Sequence, residues 1–309
     1  MIKVDNTNIY KAFGFSIMSE IPLPQLPQLG LEVDSNIDIV ITKKDLTKKW
    51  IELVEKDNVF VIQENLMMYK FWDIAIFAVQ DGKRISVSPL KEYDEDTAGI
   101  IILGTCMGAV LMQRKVLPLH GSAIAINGKA YAIVGDSGAG KSTLALAFIE
   151  RGFRLLTDDV IAVSLKDDIP YVTPSYPQQK LWRDSLNSFG IKTDDYKSLL
   201  GRENKFCVPV SSNFITDPLP LAGVVELVKT DSEDISIRTI ENLKRFYTFY
   251  YHTYRNFFIQ RSGLMDWHFQ TSAKILKQID MYQLQRPNSG FSASQLVSKI
   301  LTTINKGEE

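Results

Sequence analysis

The 309-residue chain carries 35 Lys and Arg against 36 Asp and Glu, for a net charge of −1, with 45% apolar residues. That is enough apolar material for two unequal domains, and there is no basic surplus of the kind that advertises a nucleic-acid or anionic-membrane partner. Two cysteines, Cys106 and Cys207, lie far apart without metal-ligand spacing, which argues against a disulfide framework or a zinc site, suits a reducing compartment and reads as two buried structural thiols.

The opening MIKVDNTNIYKAFGFSIMSEIPLPQL lacks the apolar core and cleavage site of a secretory signal. Short apolar runs follow, IDIVIT at 37–42, VFVI at 59–62 and ISVS at 85–88, and they read as strands, with Asp81-Gly82 as a hairpin turn and the prolines of EIPLPQLPQLG as an extended loop. After the acidic EYDEDT comes AGIIILGTCMGAVLM at 98–112, the longest uncharged apolar run. It falls short of the ~20 residues a membrane span requires and is expected to be a buried helix, in a soluble, cytoplasmic protein without a membrane partner. The pattern change near 94–97 places a strand-rich N-terminal domain, for substrate recognition or support, at 1–95 and a second domain at 96–309.

The second domain opens with LHGSAIAI-NG-KAYAIVG, two strands joined by Asn127-Gly128. That dipeptide favours a two-residue hairpin turn, which pairs residues whose numbers sum to 255 and sets His120 opposite Gly135. A histidine there can orient a phosphate or a neighbouring aspartate. Next, between strand AYAIV and helix TLALAFIERG, stands GDSGAGKS, a complete GxxxxGK[ST] phosphate loop made of Gly135, Asp136, Ser137, Gly138, Ala139, Gly140, Lys141 and Ser142, with Thr143 following. Glycines let backbone N–H groups approach phosphates, Lys141 reaches the β- and γ-phosphates, and the Ser142 hydroxyl ligates Mg²⁺.

The strand FRLLTDDV then ends in Asp158 and Asp159, seventeen and eighteen positions after Lys141. In a βαβ unit that end shares an edge with the phosphate loop, which puts both aspartates near the γ-phosphate and metal, and two like charges there call for a cation such as Mg²⁺. One carboxylate can serve the metal while the other accepts a proton from an alcohol, an arrangement that suits a kinase. There is no NKxD or LSGGQ stretch, which weakens the GTPase and transport-ATPase alternatives. Further along, PYVTPSYPQQKLWRDS at 170–185 reads as a loop, LAGVVELV at 221–228 as a strand, the aromatic stretch at about 241–258 as a helix, and SASQ at 292–295 as the capping box of a last helix.

From Leu119 to about Val163 the chain resembles the HPr kinase/phosphorylase family, bacterial enzymes that phosphorylate a serine on a small carrier protein; the shared features are His-Gly, the phosphate loop, Arg-Gly after the helix, and Asp-Asp, in the same order and at similar spacing. The resemblance implies an α/β fold with a P-loop kinase core of HPr-kinase/PEP-carboxykinase-like type, ATP and Mg²⁺ as cofactors, catalytic roles for His120, Lys141 and Asp159, with Asp159 as proton acceptor, Mg²⁺ on Ser142, and Asp158 supporting metal or base. The family's EVRGxG-type segment has no match, PSYPQQKLWRDS standing in its place, so phosphorylase activity is not expected. That loop, YKAFGFSIMSEIPLPQL and LGTCMGAVLMQRKVLPLHGS look more like the HPr-kinase-like branch found beside lasso peptide genes, whose members phosphorylate the C-terminal serine of a precursor peptide.

Lys180, Trp182, Arg183 and Lys205, read as loop residues after the core, are candidates for contacting nucleotide phosphates or a peptide carboxylate. The aromatic stretch RFYTFYYHTYRNFF reads as a helix packing into the core or as a wall for a peptide, and His252 and His268 receive no function. The leading expectation is a Mg-ATP-dependent kinase acting on a serine of a precursor peptide or small protein. The alternatives are a carrier-protein serine kinase, a small-molecule kinase on the same core, and a nucleotide-binding regulator without transfer chemistry.

Overall fold

A computed structural model of the chain describes residues 7–30, 36–194, 196–199 and 202–306. It divides into two compact units, Met1–Pro118 with Arg255–His268, and Leu119–Tyr254 with Phe269–Glu309. The boundary thus falls at 118/119 rather than at 95/96, because the apolar helix after Asp94 is spent on the first unit's sheet.

In the first unit, strands β1 (Asn8–Ala12), β2 (Phe15–Ser19), β3 (Gln28–Leu29), β4 (Ile39–Lys43), β5 (Phe60–Gln63), β6 (Leu66–Phe71), β7 (Ala75–Gln80) and β8 (Arg84–Pro89) form one sheet in the order β3-β1-β2-β4-β8-β7-β6-β5. Gln80 pairs with Arg84, so the Asp81-Gly82 hairpin has a three-residue loop, and both residues of that dipeptide sit at positive φ. On one face Ile76 and Ala78 pack against Trp50 of helix α1 (Thr47–Leu53). Strand alternation turns Phe77 and Val79 to the other face.

The helical segment after Asp94 packs against β7. It consists of α2 (Glu95–Ile101), a π-helical turn (Ile102–Cys106) and α3 (Met107–Gln113), and the Asp94 carboxylate caps it by accepting from the Thr97 N–H at 2.7 Å. Glu95–Gln113 makes 19 residues, long and apolar enough by length and composition to cross a membrane, yet 78% of its apolar window is buried, as in the core helix of a globular unit. Cys106 is fully buried inside it, whereas Cys207 is only half-buried, against the expectation of two buried thiols. The unit is completed by α7 (Phe257–Arg261), whose Phe257 and Phe258 meet the Phe60 ring edge-on at 5.3 and 5.5 Å.

The second unit contains β9 (Leu117–Ile126), β10 (Lys129–Val134), α4 (Lys141–Ile149), β11 (Arg154–Lys166), β12 (Ile169–Thr173), β13 (Gln178–Trp182), α5 (Arg183–Ser188), β14 (Ser198–Leu199), β15 (Arg202–Pro209), β16 (Leu219–Thr230), β17 (Ser236–Thr239), α6 (Leu243–Tyr251), most of α8 (Met265–Leu276), β18 (Asp280–Pro287) and α9 (Ala293–Lys306). Parallel strands β10, β16 and β18 form its centre. Leu144 and Phe148 of α4 and Leu296, Val297 and Ile300 of α9 bury their apolar faces with Ile133, Val225, Leu227 and Leu284 from those strands.

The β9–β10 hairpin pairs Ile126 with Lys129 through to Gly121 with Val134, the register read from Asn127-Gly128, and both turn residues adopt the positive φ that a type I′ turn demands. Three other readings change. Strand β9 lies between β10 and β11, and β11 runs on past the aspartates to Lys166 instead of ending at them. Residues 170–185 fold into β12, β13 and the start of α5, because Leu181, with Phe206 and Val208 of β15, forms an apolar face against Leu146 of α4. The aromatic helix is two helices in different units, interrupted at 252–256, where Arg255 takes a φ of 46°.

Candidate functional site

The hairpin delivers the chain from β10 into a loop whose bends belong to glycine. Gly135, Gly138 and Gly140 have φ of 150°, 79° and 106°, and a Cβ on Gly135 would stand 2.5 Å from the Leu227 carbonyl oxygen. The loop closes on the N-terminus of α4, where free N–H groups and the helix dipole favour an anion. Lys141 opens that helix and folds back, its Nζ donating to the carbonyls of Gly135 at 2.8 Å and Asp136 at 3.0 Å. Burial lowers its pKa, while Asp158 and Asp159 pull it upward in part.

Asp158 and Asp159 are consecutive in β11, and Asp159 sits at a φ of 81°, a kink that Asp tolerates better than most residues and that lets both carboxylates line one cavity. Asp158 is buried and accepts from the Ser122 hydroxyl at 2.5 Å and from the Lys180 backbone N–H at 2.9 Å. Asp159 Oδ2 accepts from Lys180 Nζ at 2.6 Å, and its Oδ1 lies 3.5 Å from His120 Nδ1. Burial alone would raise the Asp159 carboxyl; the Lys180 ammonium and His120 outweigh it and hold it well below the usual carboxylate range. Lys180, which burial would push to lose its proton, is kept protonated by the same contact.

His120 Nδ1 also lies 3.0 Å from the Asp159 carbonyl oxygen, tying the ring to the kink itself. Its pKa is lowered, chiefly by burial and against the pull of Asp159, so the neutral tautomer with the proton on Nδ1 donates to that carbonyl.

These groups line one cavity of about 510 Å³. It brings together His120, Lys141, Ser142, Asp158, Asp159 and Lys180. Trp182 and Lys205 line it too, the ammonium 5.6 Å over the indole ring. The four substrate candidates stand on secondary structure rather than in loops: Lys180 and Trp182 on β13, Arg183 at the first turn of α5, Lys205 on β15. Arg183 does not reach the cavity; its guanidinium lies over Phe206 and donates to Asn204 and Thr193. Gly135, Asp136 and Ala139 form the back of the loop, where their carbonyls hold Lys141 and Arg286.

The donor set fits Mg²⁺. Ser142 and the two aspartates offer hard oxygens to one space, and each Asp158 oxygen keeps a lone pair beyond the bond it already accepts. Among the described residues no three His, Cys, Asp or Glu side chains are grouped to hold an ion.

Four residues near the loop carry no local sequence pattern. Arg286, at the end of β18, donates from Nε to the Ala139 carbonyl at 2.8 Å. Glu226, opposite Val134 in β16, accepts from His252 Nε2 at 3.0 Å and from Gln283 Nε2 at 2.6 Å. His252 in turn accepts the His120 backbone N–H at 2.8 Å, and its neighbour Tyr251 bonds the Asp136 side chain. His252 thus anchors the strand that carries His120, a role invisible in its spacing.

Residues 112–182 match the family model described as HPr Serine kinase C-terminal domain, which covers the hairpin, phosphate loop, aspartate pair and β13. The chain is 28% identical over 167 residues to an HPr kinase/phosphorylase of Lachnoclostridium phytofermentans, covering 50% of this chain and 51% of that protein. With one from Limosilactobacillus reuteri it shares 40% identity over 123 residues, 36% of this chain and 37% of that one. These matches span about half or less of the length of those relatives. The Hpr(Ser) kinase/phosphatase structure from Coxiella burnetii aligns with a TM-score of 0.34 at 16% identity, over 62% of this chain and 99% of that one.

Proposed function

We propose that the second unit is a Mg-ATP-dependent serine kinase that moves the γ-phosphoryl group of ATP onto a serine hydroxyl of a peptide or small protein. The observation that carries this reading is Asp159, an ionised carboxylate in the same cavity as the phosphate-loop lysine. Phosphoryl transfer asks for an aligned donor, neutralised charge and an acceptor that loses its proton as it attacks. Lys141 and the loop hold the β- and γ-phosphates. Mg²⁺, when bound at Ser142 and Asp158, neutralises phosphate oxygens.

Asp159 is a weak base while Lys180 grips it. An incoming γ-phosphate competes for the Lys180 ammonium, and as the pair loosens the carboxylate regains basicity next to the acceptor. The serine Oγ–P bond then forms, the bridging P–O bond to ADP breaks, and the serine proton passes to Asp159. His120 holds the Asp159 carbonyl and with it the aim of the carboxylate.

For the acceptor we infer the C-terminal serine of a precursor peptide. The support is the resemblance of the flanking segments to lasso peptide kinases and the Lys205 ammonium, which lines the same cavity as the aspartates and can attract a terminal carboxylate. The carrier protein named for the relatives is the second reading, favoured by the match over 112–182.

The test is intact-mass spectrometry of the precursor peptide encoded beside the gene, and of an HPr-type protein in parallel, after incubation with the protein, MgCl₂ and ATP. A phosphate mass on the terminal serine, lost with Asp159→Asn, is the expected result. Phosphate on the carrier protein alone selects the second reading, and equal transfer by Asp159→Asn removes Asp159 as the base.

A further inference from the structure

The cavity continues beyond the phosphate loop. Past Ser142 its wall is Thr143, whose hydroxyl lies 2.7 Å from that of Ser185 on α5. It runs on through Ser188 at the end of α5 to Phe291, whose ring meets Phe189 edge to face at 5.1 Å and 85°. Phe189 is itself packed against the cluster of Leu146, Leu181 and Leu186, so Phe291 is braced from behind while 50% of it stays exposed. Arg286 lines the cavity as well, fixed by the Ala139 carbonyl and next to Gly140.

The chemistry changes along this wall. Lys141, Lys180 and Lys205 share the cavity with the aspartate pair, whereas Asp184, Ser185, Ser188, Phe291 and Leu296 offer it one carboxylate, hydroxyls and apolar surface. A phosphate loop fixes the polarity of its ligand, with the lysine on the β- and γ-phosphates and the rest of the molecule leaving past the residue after the Ser or Thr. The acceptor has to enter at the aspartates, so the other end is where the nucleoside must lie.

Resting on the ATP reading above, we propose that this end is a nucleobase subsite, in which Phe291 stacks on the base and Ser185 and Ser188 meet the ribose or the base edge. Arg286 stands between base and γ-phosphate, at the α- and β-phosphates. Stacking of a base on one aromatic ring changes affinity by about tenfold or more.

The experiment is titration calorimetry of the full chain with MgATP and with inorganic tripolyphosphate, which presents the phosphates without a base. Phe291→Ala is expected to weaken MgATP about tenfold and leave tripolyphosphate within twofold, Phe291→Tyr to bind both as the parent does, and Lys141→Ala to weaken both ligands. Unchanged MgATP binding by Phe291→Ala, or an equal loss for both ligands, overturns the subsite while the phosphate site stands. A parent chain that binds neither ligand overturns the ATP reading and this proposal with it.

Discussion

At the scale of single residues, the 2.6 Å contact between Lys180 and Asp159 has the most to say about chemistry. It keeps the Asp159 carboxylate ion-paired until something anionic takes the lysine, so on the kinase reading the base is released only once the γ-phosphate has arrived. Lys180→Met is therefore expected to lower acceptor phosphorylation by about 10²–10³-fold, the usual cost of removing one preorganised stabiliser of transition-state charge, as measured by kcat with saturating peptide. The phosphate loop was legible because eight consecutive residues suffice to identify it. The lysine's role was not, since its partner lies 21 positions away and meets it only because β13 packs beside β11, where the Lys180 backbone N–H also bonds Asp158.

His268 makes a separate, purely energetic prediction. It is buried in the first unit, and burial pushes its pKa down to about 4, against about 6.5 for an exposed histidine. Between those values the unfolded chain binds a proton that the folded chain rejects, so stability falls as pH drops through the window and levels off below it. The expected loss between pH 7 and pH 5 is about 2 kcal/mol from this residue, visible in urea midpoints and removed by His268→Gln.

At the scale of elements, the β9–β10 hairpin and the course of β11 make an instructive contrast. The hairpin register could be read because Asn-Gly imposes it, and it brought His120 correctly to the level of the loop. Its tightness shows at Gly121, where a Cβ would lie 2.1 Å from the Ile133 carbonyl oxygen. The obstacle is backbone and cannot rotate away. Gly121→Ala is expected to destabilise the protein by about 3 kcal/mol, seen as a lowered melting temperature, with loss of nucleotide binding as His120 and the loop move apart. Strand β11, by contrast, looked finished at Asp158-Asp159 because paired carboxylates rarely continue an apolar strand. The structure continues it through a kink at Asp159 that the Thr157 hydroxyl bridges by donating to the Val160 carbonyl at 2.6 Å and that tertiary partners, Ser122, Lys180 and His120, hold in place. Prolines at 170, 174 and 177 likewise masked β12 and β13, although only Pro170 lies within either strand.

For the whole molecule, composition correctly separated a strand-rich first part from a phosphate-loop second part and missed how the chain is shared between them. It passes between the units at 118/119, 254/255 and 268/269. Nothing local to the aromatic stretch shows that Tyr247 and Phe257 belong to different units, because both halves are equally apolar and helical. The sharing predicts that a fragment beginning at residue 96 will aggregate, since it keeps the helical segment Glu95–Gln113 nearly whole and removes the β7 face that covers it. Size-exclusion chromatography and dye binding to exposed apolar surface would show this against the intact chain.

The same sharing has a consequence in time. Phe60 waits for Phe257 and Phe258, which are synthesised roughly 200 residues later. At about 5–20 residues per second a ribosome needs on the order of 10–40 s to supply them. For that interval the nascent first unit carries an uncovered Phe60–Tyr69 stack while the entire phosphate-loop region emerges behind it. A slow or stalled ribosome lengthens that exposure in direct proportion.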